Sequence, residues 1–151
     1  MKIDVPATRS EGVRQNYLAI LVAAIACFLL DVAWYSFFME TWLSSIGRTK
    51  EWLTDPAGYN PALQYGTAIV ACAVIAATLS FIVQYTGPLT IWRGIRAAFW
   101  LWLGFVLTTA ATQTVFERRP FSLLALDAGF WLVGMILMGG IVGGWKKKSA
   151  S

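Results

Sequence analysis

Four long apolar runs constrain this chain more than any other feature. They cover residues 17–39, 61–85, 95–116 and 121–145. A helix crosses the hydrocarbon core of a bilayer with roughly 20 mostly apolar residues, within a range of about 17–25. All four runs have that length. Inside lipid the backbone finds no water, so a spanning segment must satisfy its own N–H and C=O groups. The short alternation of barrel strands is absent. The runs therefore predict an all-α, integral membrane four-helix bundle. Composition points the same way, with 58% hydrophobic and 13% charged residues, against roughly 25% charged in a soluble domain. A soluble fold of 151 residues has too little interior to hide that much apolar surface. The length suits one domain.

The connections are short or carry turn chemistry. A polar tail, residues 1–16, precedes the membrane domain at 17–145, and a basic tail, 146–151, follows it. The loop at 40–60 is the longest. Between 41 and 53, Trp42, Ile46 and Leu53 recur at helix-like spacing with Arg48, Lys50 and Glu51 between them. That pattern predicts a short interfacial helix in the first loop. Asp55-Pro56-Ala57-Gly58-Tyr59-Asn60-Pro61 then restarts the chain. Thr86-Gly87-Pro88 closes the second span, and Glu117-Arg118-Arg119-Pro120 is a tight polar hairpin.

Basic residues set the expected orientation. Lys2, Arg9, Arg14, Arg93, Arg96, Lys146, Lys147 and Lys148 fall on one side, and Arg48, Lys50, Arg118 and Arg119 on the other. The richer side faces the cytoplasm, which puts both termini inside. The net charge of +4 raises the question of nucleic acid. These basic residues punctuate apolar runs and form no face of their own. The expected partner is the lipid bilayer, with no nucleic acid. Arg9 and Arg14 before an apolar stretch resemble a signal peptide, but 17–39 is long enough to span and no small-residue cleavage site follows it. Trp42, Trp92 and Trp145 sit at span ends, as interfacial rings do. Trp34, Trp100, Trp102 and Trp131 lie deeper, as packing or pocket residues.

Charged groups inside spans cost roughly 2.5–3.5 kcal/mol each and are functional candidates. Asp31 and Asp127 are the two that matter. Asp31 lies eight residues before Met39, and Asp127 six after Phe121. At 1.5 Å per residue those are depths of about 12 Å and about 9 Å below the same surface. Thr108, Thr109, Thr112 and Gln113 fall in the outer half of the third span, and Gln64 and Thr67 in that of the second. The inner halves are close to purely apolar or small. One reading is an outward-facing polar pocket lined by Asp31, Asp127, Trp34, Tyr35, Thr108, Thr112 and Gln113. Two neighbouring carboxyls there would share a proton. The other reading makes each Asp a packing device. Asp31 would bond the Trp34 indole or the Tyr35 hydroxyl, and Asp127 would pair with Arg118 or Arg119.

Gly139, Gly140, Gly143 and Gly144 form overlapping Gly-x-x-x-Gly pairs. Small faces of this kind let helices approach closely. They serve packing within the bundle or a homo-oligomer seam. Cys27 and Cys72 lie in apolar runs, there is no Cys-x-x-Cys, and histidine is absent. The expectation is no metal site and no cofactor. Without a phosphate loop or a nucleophile triad the chain reads as no enzyme, the alternative being a membrane enzyme using the Asp pair.

Several stretches resemble a known family. They are Trp34-Tyr35-Ser36 with Phe38, Trp42 and a Gly47 turn; Trp102-Leu103-Gly104-Phe105-Val106 with Thr108-Thr109; Phe116-Glu117-Arg118-Arg119-Pro120; and Asp127-Ala128-Gly129 with Trp145. Together they resemble the bacterial membrane-protein family "domain of unknown function 1761" over nearly the whole chain. The resemblance implies the bacterial cytoplasmic (inner) membrane and a multi-pass architecture, and no activity. The residue near Asp31 is often small in that family, so this Asp is a departure that weakens a family-wide role for the pair. Four-span small multidrug exporters share an acidic residue in the first span, but this chain is longer, with a long first loop and a clear charge bias. The functional expectation is binding or transport of a small molecule or proton. The alternative is a structural or accessory protein that packs with itself or a partner.

Overall fold

The computed structural model describes residues 15–145 except 56 and 59. The tails at 1–14 and 146–151, with the basic residues assigned to them, lie outside the described residues. The described chain is helical, with no strand among the described residues. Four helices are long and apolar enough to cross a membrane: Tyr17–Phe37, Pro61–Tyr85, Ile91–Phe116 and Phe121–Gly144. They are the first to fourth spans below. The upper end is the one that carries residues 38–60 and 117–120.

Three of the four spans start at a side-chain cap. The Asn16 side chain accepts from the Ala19 N–H, and Asn60 accepts from Leu63 with Pro61 in the first turn. Both are capping arrangements that satisfy N–H groups otherwise without partners. Thr90 does the same for the Arg93 N–H. That cap moves the start of the third span to Ile91, four residues before the start expected at 95.

The first loop contains the expected short helix, with different bounds. In place of one interfacial helix over 41–53, a helix runs Met39–Ser45 and a tighter turn runs Lys50–Thr54. Gly47 divides them at φ +67°. Arg48 N–H donates to Leu43 O and Gly47 N–H to Ser44 O, the paired closure that ends helices at a left-handed residue. The hairpin after the third span closes in the same way. Arg119 N–H donates to Thr114 O, and Arg118 stands at φ 52°.

The fourth span is the hub. Its small residues seat a neighbour on each side. Gly134 faces Cys27 of the first span, and Gly129 faces Trp34. Gly139 and Gly143 meet Gly94 of the third span, with Ala98 against Gly139 and the Thr90 carbonyl against Gly143. Gly140 and Gly144 contact Ile95 and Ile91. A Cβ on Gly94 would overlap the Gly139 carbonyl, so this pair is in backbone-to-backbone contact, the approach small residues permit. The buried core is built of Ala23, Ala24, Cys27, Cys72, Ala76, Leu79, Ala98 and Met138.

The middle of the third span widens into a π-type turn, Trp102–Leu107. Trp102 is buried, and its indole N–H donates to Ala128 O at 2.8 Å. The lower half of the molecule is less apolar than the sequence suggested. Buried Ser80 donates to Gln15 Oε1 at 3.0 Å, and Gln84 Nε2 donates to both Gln15 and Ser80.

Candidate functional site

A cavity of about 500 Å³ opens at the upper end. Its walls come from three spans and the first loop. The first span supplies Asp31, Val32, Tyr35 and Ser36, the second Gln64, Tyr65 and Ala68, and the fourth Asp127. Met39, Trp42, Trp52 and Leu53 of the loop complete it. Asp31 and Tyr35 are four residues apart and so share one helix face. The antiparallel second span places Gln64 and Ala68 at the same level.

Asp31, Tyr35 and Asp127, from the set expected by sequence, thus line one space. The Tyr35 hydroxyl donates to Asp127 Oδ1 at 2.8 Å, joining the first and fourth spans. The Asp31 carboxyl has no hydrogen bond among the described residues. Asp127 has no ion pair with Arg118 or Arg119; Arg119 pairs with Glu117 instead.

The other expected residues lie elsewhere. Trp34 packs against Phe38 and Phe130, with ring centroids 4.9 and 6.4 Å away. Its indole nitrogen is buried without a hydrogen-bond partner among the described residues. Thr108 and Thr112 donate to carbonyls of their own helix, those of Gly104 and Thr108. Gln113 is exposed. Thr67 likewise bonds Leu63 O. Depth along a helix was readable from the sequence, but the face each residue takes was not. The π-type turn also rotates everything that follows it on the third span relative to a regular helix.

Sequence reasoning missed the aromatic lining. Trp42 and Trp52 stand 6.3 Å apart by ring centroids, and Tyr35 meets Trp42 edge-on at 6.1 Å. Arg48 lies over Trp52 at 5.3 Å. The signal was present as two tryptophans flanking the Gly47 turn, a spacing that folds one back toward the other. One contact ties the loop to the fourth span and one joins its two halves. Ser45 and Ser122 hydroxyls meet at 2.8 Å, and Lys50 pairs with Glu40 at 3.0 Å.

The lining combines two carboxyl groups with Tyr35, Tyr65, Trp42 and Trp52, and includes no lysine or arginine among the described residues. Such a site suits a ligand with a positive centre and an apolar body. Ring faces attract cations within about 6 Å, and carboxylates supply opposite charge. No group of three or more metal-binding side chains occurs among the described residues. Below the cavity, Cys27, Cys72 and Ala76 are at most 1% exposed and close the space.

Residues 18–143 match the family described as Protein of unknown function (DUF1761). No curated protein and no solved structure matches the chain.

Proposed function

Because the chain belongs to the family described as Protein of unknown function (DUF1761), which supplies no activity, we propose a function from the cavity itself: a multi-pass membrane protein that binds a small organic cation. One observation carries this reading. Two intramembrane carboxyls and four aromatic rings line the same space, and one of the carboxyls, Asp31, is without a hydrogen-bond partner among the described residues. An intramembrane charge is costly and usually serves a pathway or a ligand. The opening faces outside in this proposal, because eight of the twelve Lys and Arg residues of the sequence, Arg93 and Arg96 with those of the two tails, are assigned to the opposite side, and the basic side faces the cytoplasm of a bacterial inner membrane. The tight packing beneath the cavity supports binding in this conformation over passage.

The test is calorimetric titration of the purified full chain with benzyltrimethylammonium and with an uncharged analogue. The cation is expected to bind and the analogue to bind much more weakly. Asp31→Asn is expected to weaken cation binding by about tenfold or more, the scale of a charge-assisted contact. Equal affinity for both probes, or no change in Asp31→Asn, sinks the proposal.

The Tyr35–Asp127 hydrogen bond favours a second reading, an accessory protein in which Asp127 is only a tie between helices. Under that reading Asp127→Leu, which removes the acceptor of the Tyr35 hydroxyl, lowers stability in detergent and no ligand response exists to lose.

A further inference from the structure

A second polar groove lies at the lower end, away from the cavity. It measures about 270 Å³ and is lined by Thr86, Arg93, Arg96, Ala97 and Trp100. The last four recur at three- and four-residue spacing, so they share one face of the third span. Thr86 closes the groove from the end of the second span.

Arg93 is set in place by the turn beside it. Its Nη1 donates to Thr86 O at 3.0 Å and reaches Pro88 O at 3.5 Å. Gly87 adopts φ +124°, and a Cβ there would collide with that same Nη1. The turn therefore lacks a side chain where the guanidinium rests. One nitrogen is spent on carbonyls, and the other N–H donors of Arg93 have no partner among the described residues. Arg96 has no hydrogen bond or ion pair among the described residues, and both ion pairs found there belong to the upper end. The acidic residues among the described ones, Asp31, Glu40, Glu51, Asp55, Glu117 and Asp127, all lie in the upper half. Trp100 is 64% exposed and sits one to two turns deeper than the arginines, about 6–10 Å along the helix.

We propose that this groove binds the phosphate of an anionic phospholipid of the adjoining leaflet. Arg93 and Arg96 grip the oxyanion, and the lipid chain descends along Ala97 and Trp100. Guanidinium groups match phosphate geometry through paired N–H donors. A free phosphate offers the same oxyanion chemistry. The lipid is favoured because the arginine face continues directly into an exposed tryptophan at acyl-chain depth. Basic pockets between spans on the cytoplasmic side suit lipid headgroups.

The experiment reconstitutes the full chain in nanodiscs of phosphatidylcholine with a minor fraction of labelled phosphatidylglycerol, and reads label held at the protein. The wild type is expected to enrich phosphatidylglycerol over labelled phosphatidylcholine. Arg96→Gln is expected to weaken retention about fivefold, and adding Arg93→Gln about fivefold more. Arg48→Gln, the same charge change at the upper end, is expected to leave it intact. Arg93 also braces a turn, so Arg96→Gln carries the decision if the double variant fails to fold. Three results overturn the proposal: no enrichment in the wild type, equal losses in Arg48→Gln and Arg96→Gln, or full displacement of the label by millimolar inorganic phosphate, which assigns the groove to a free anion. This site shares no residue with the upper cavity, so its failure leaves the cation reading standing.

Discussion

At the scale of single residues, Asp31 and Asp127 have the same chemistry and different situations. Asp127 accepts a hydrogen bond from Tyr35 across two spans, and Asp31 has none among the described residues. Tyr35→Phe keeps the ring against Trp42 and Phe130 and removes only the hydroxyl. Interhelical hydrogen bonds in membranes are worth about 0.6–1.7 kcal/mol, and a loss of that size is expected in thermal unfolding in detergent. Cation binding should persist, because both carboxyls remain. A variant with unchanged stability would mean the hydroxyl contributes nothing to holding the first and fourth spans together. The two acidic residues and their shared depth were legible in the sequence. The hydrogen bond was not, since it depends on helix rotation, which no local pattern near Asp127 specifies. For the same reason Thr108, Thr112 and Gln113 were grouped with them by depth, although their side chains turn elsewhere.

At the scale of elements, glycines divide by what stands opposite them. Gly94 faces the Gly139 carbonyl with no room for a methyl group, and Gly66 faces open space. Gly94→Ala should force the third and fourth spans apart and cost about 1–3 kcal/mol, the usual cost of overpacking. Gly66→Ala should gain about 0.5–1 kcal/mol by removing backbone freedom from the unfolded chain. Thermal melts of the two variants should therefore move in opposite directions, and parallel shifts would contradict the packing described. The small-residue run at 139–144 was readable as a packing face. Its partner was not, because Gly94 stands among Arg93, Ile95 and Arg96 and looks like part of a solvated turn. The loop shows the converse. The spacing of Trp42, Ile46 and Leu53 reads as one helix, and only the left-handed Gly47 reveals two pieces.

At the scale of the molecule, the spans follow directly from hydropathy, because lipid leaves a long apolar segment no other regular form. Their order around the fourth span does not follow, since a helix apolar on every side carries no periodic mark of its neighbour. Orientation is a matter of charge and can be checked by membrane-impermeant thiol labelling of intact cells. Thr54→Cys should label from outside and Ser149→Cys only after lysis. Cys27 and Cys72 are 0% and 1% exposed and should stay silent. Labelling of Ser149→Cys in intact cells would reverse the topology and with it the side on which the cavity opens.

The glycine contact between the third and fourth spans also bears on biogenesis. An 18-residue stretch of the third span has a mean hydropathy of 1.4, the lowest of the four, against 1.9 for the fourth and 2.3 for the other two. The third is also the span with Arg93 and Arg96 near its start and Thr108, Thr109, Thr112 and Gln113 near its end. Such a segment partitions into lipid weakly by itself. The hairpin at 117–120 is short, and backbone contact at Gly94 and Gly139 would let the two spans enter the bilayer together as one helical hairpin. A ribosome stalled before the fourth span emerges would then hold the third span at the membrane's edge, waiting for its companion.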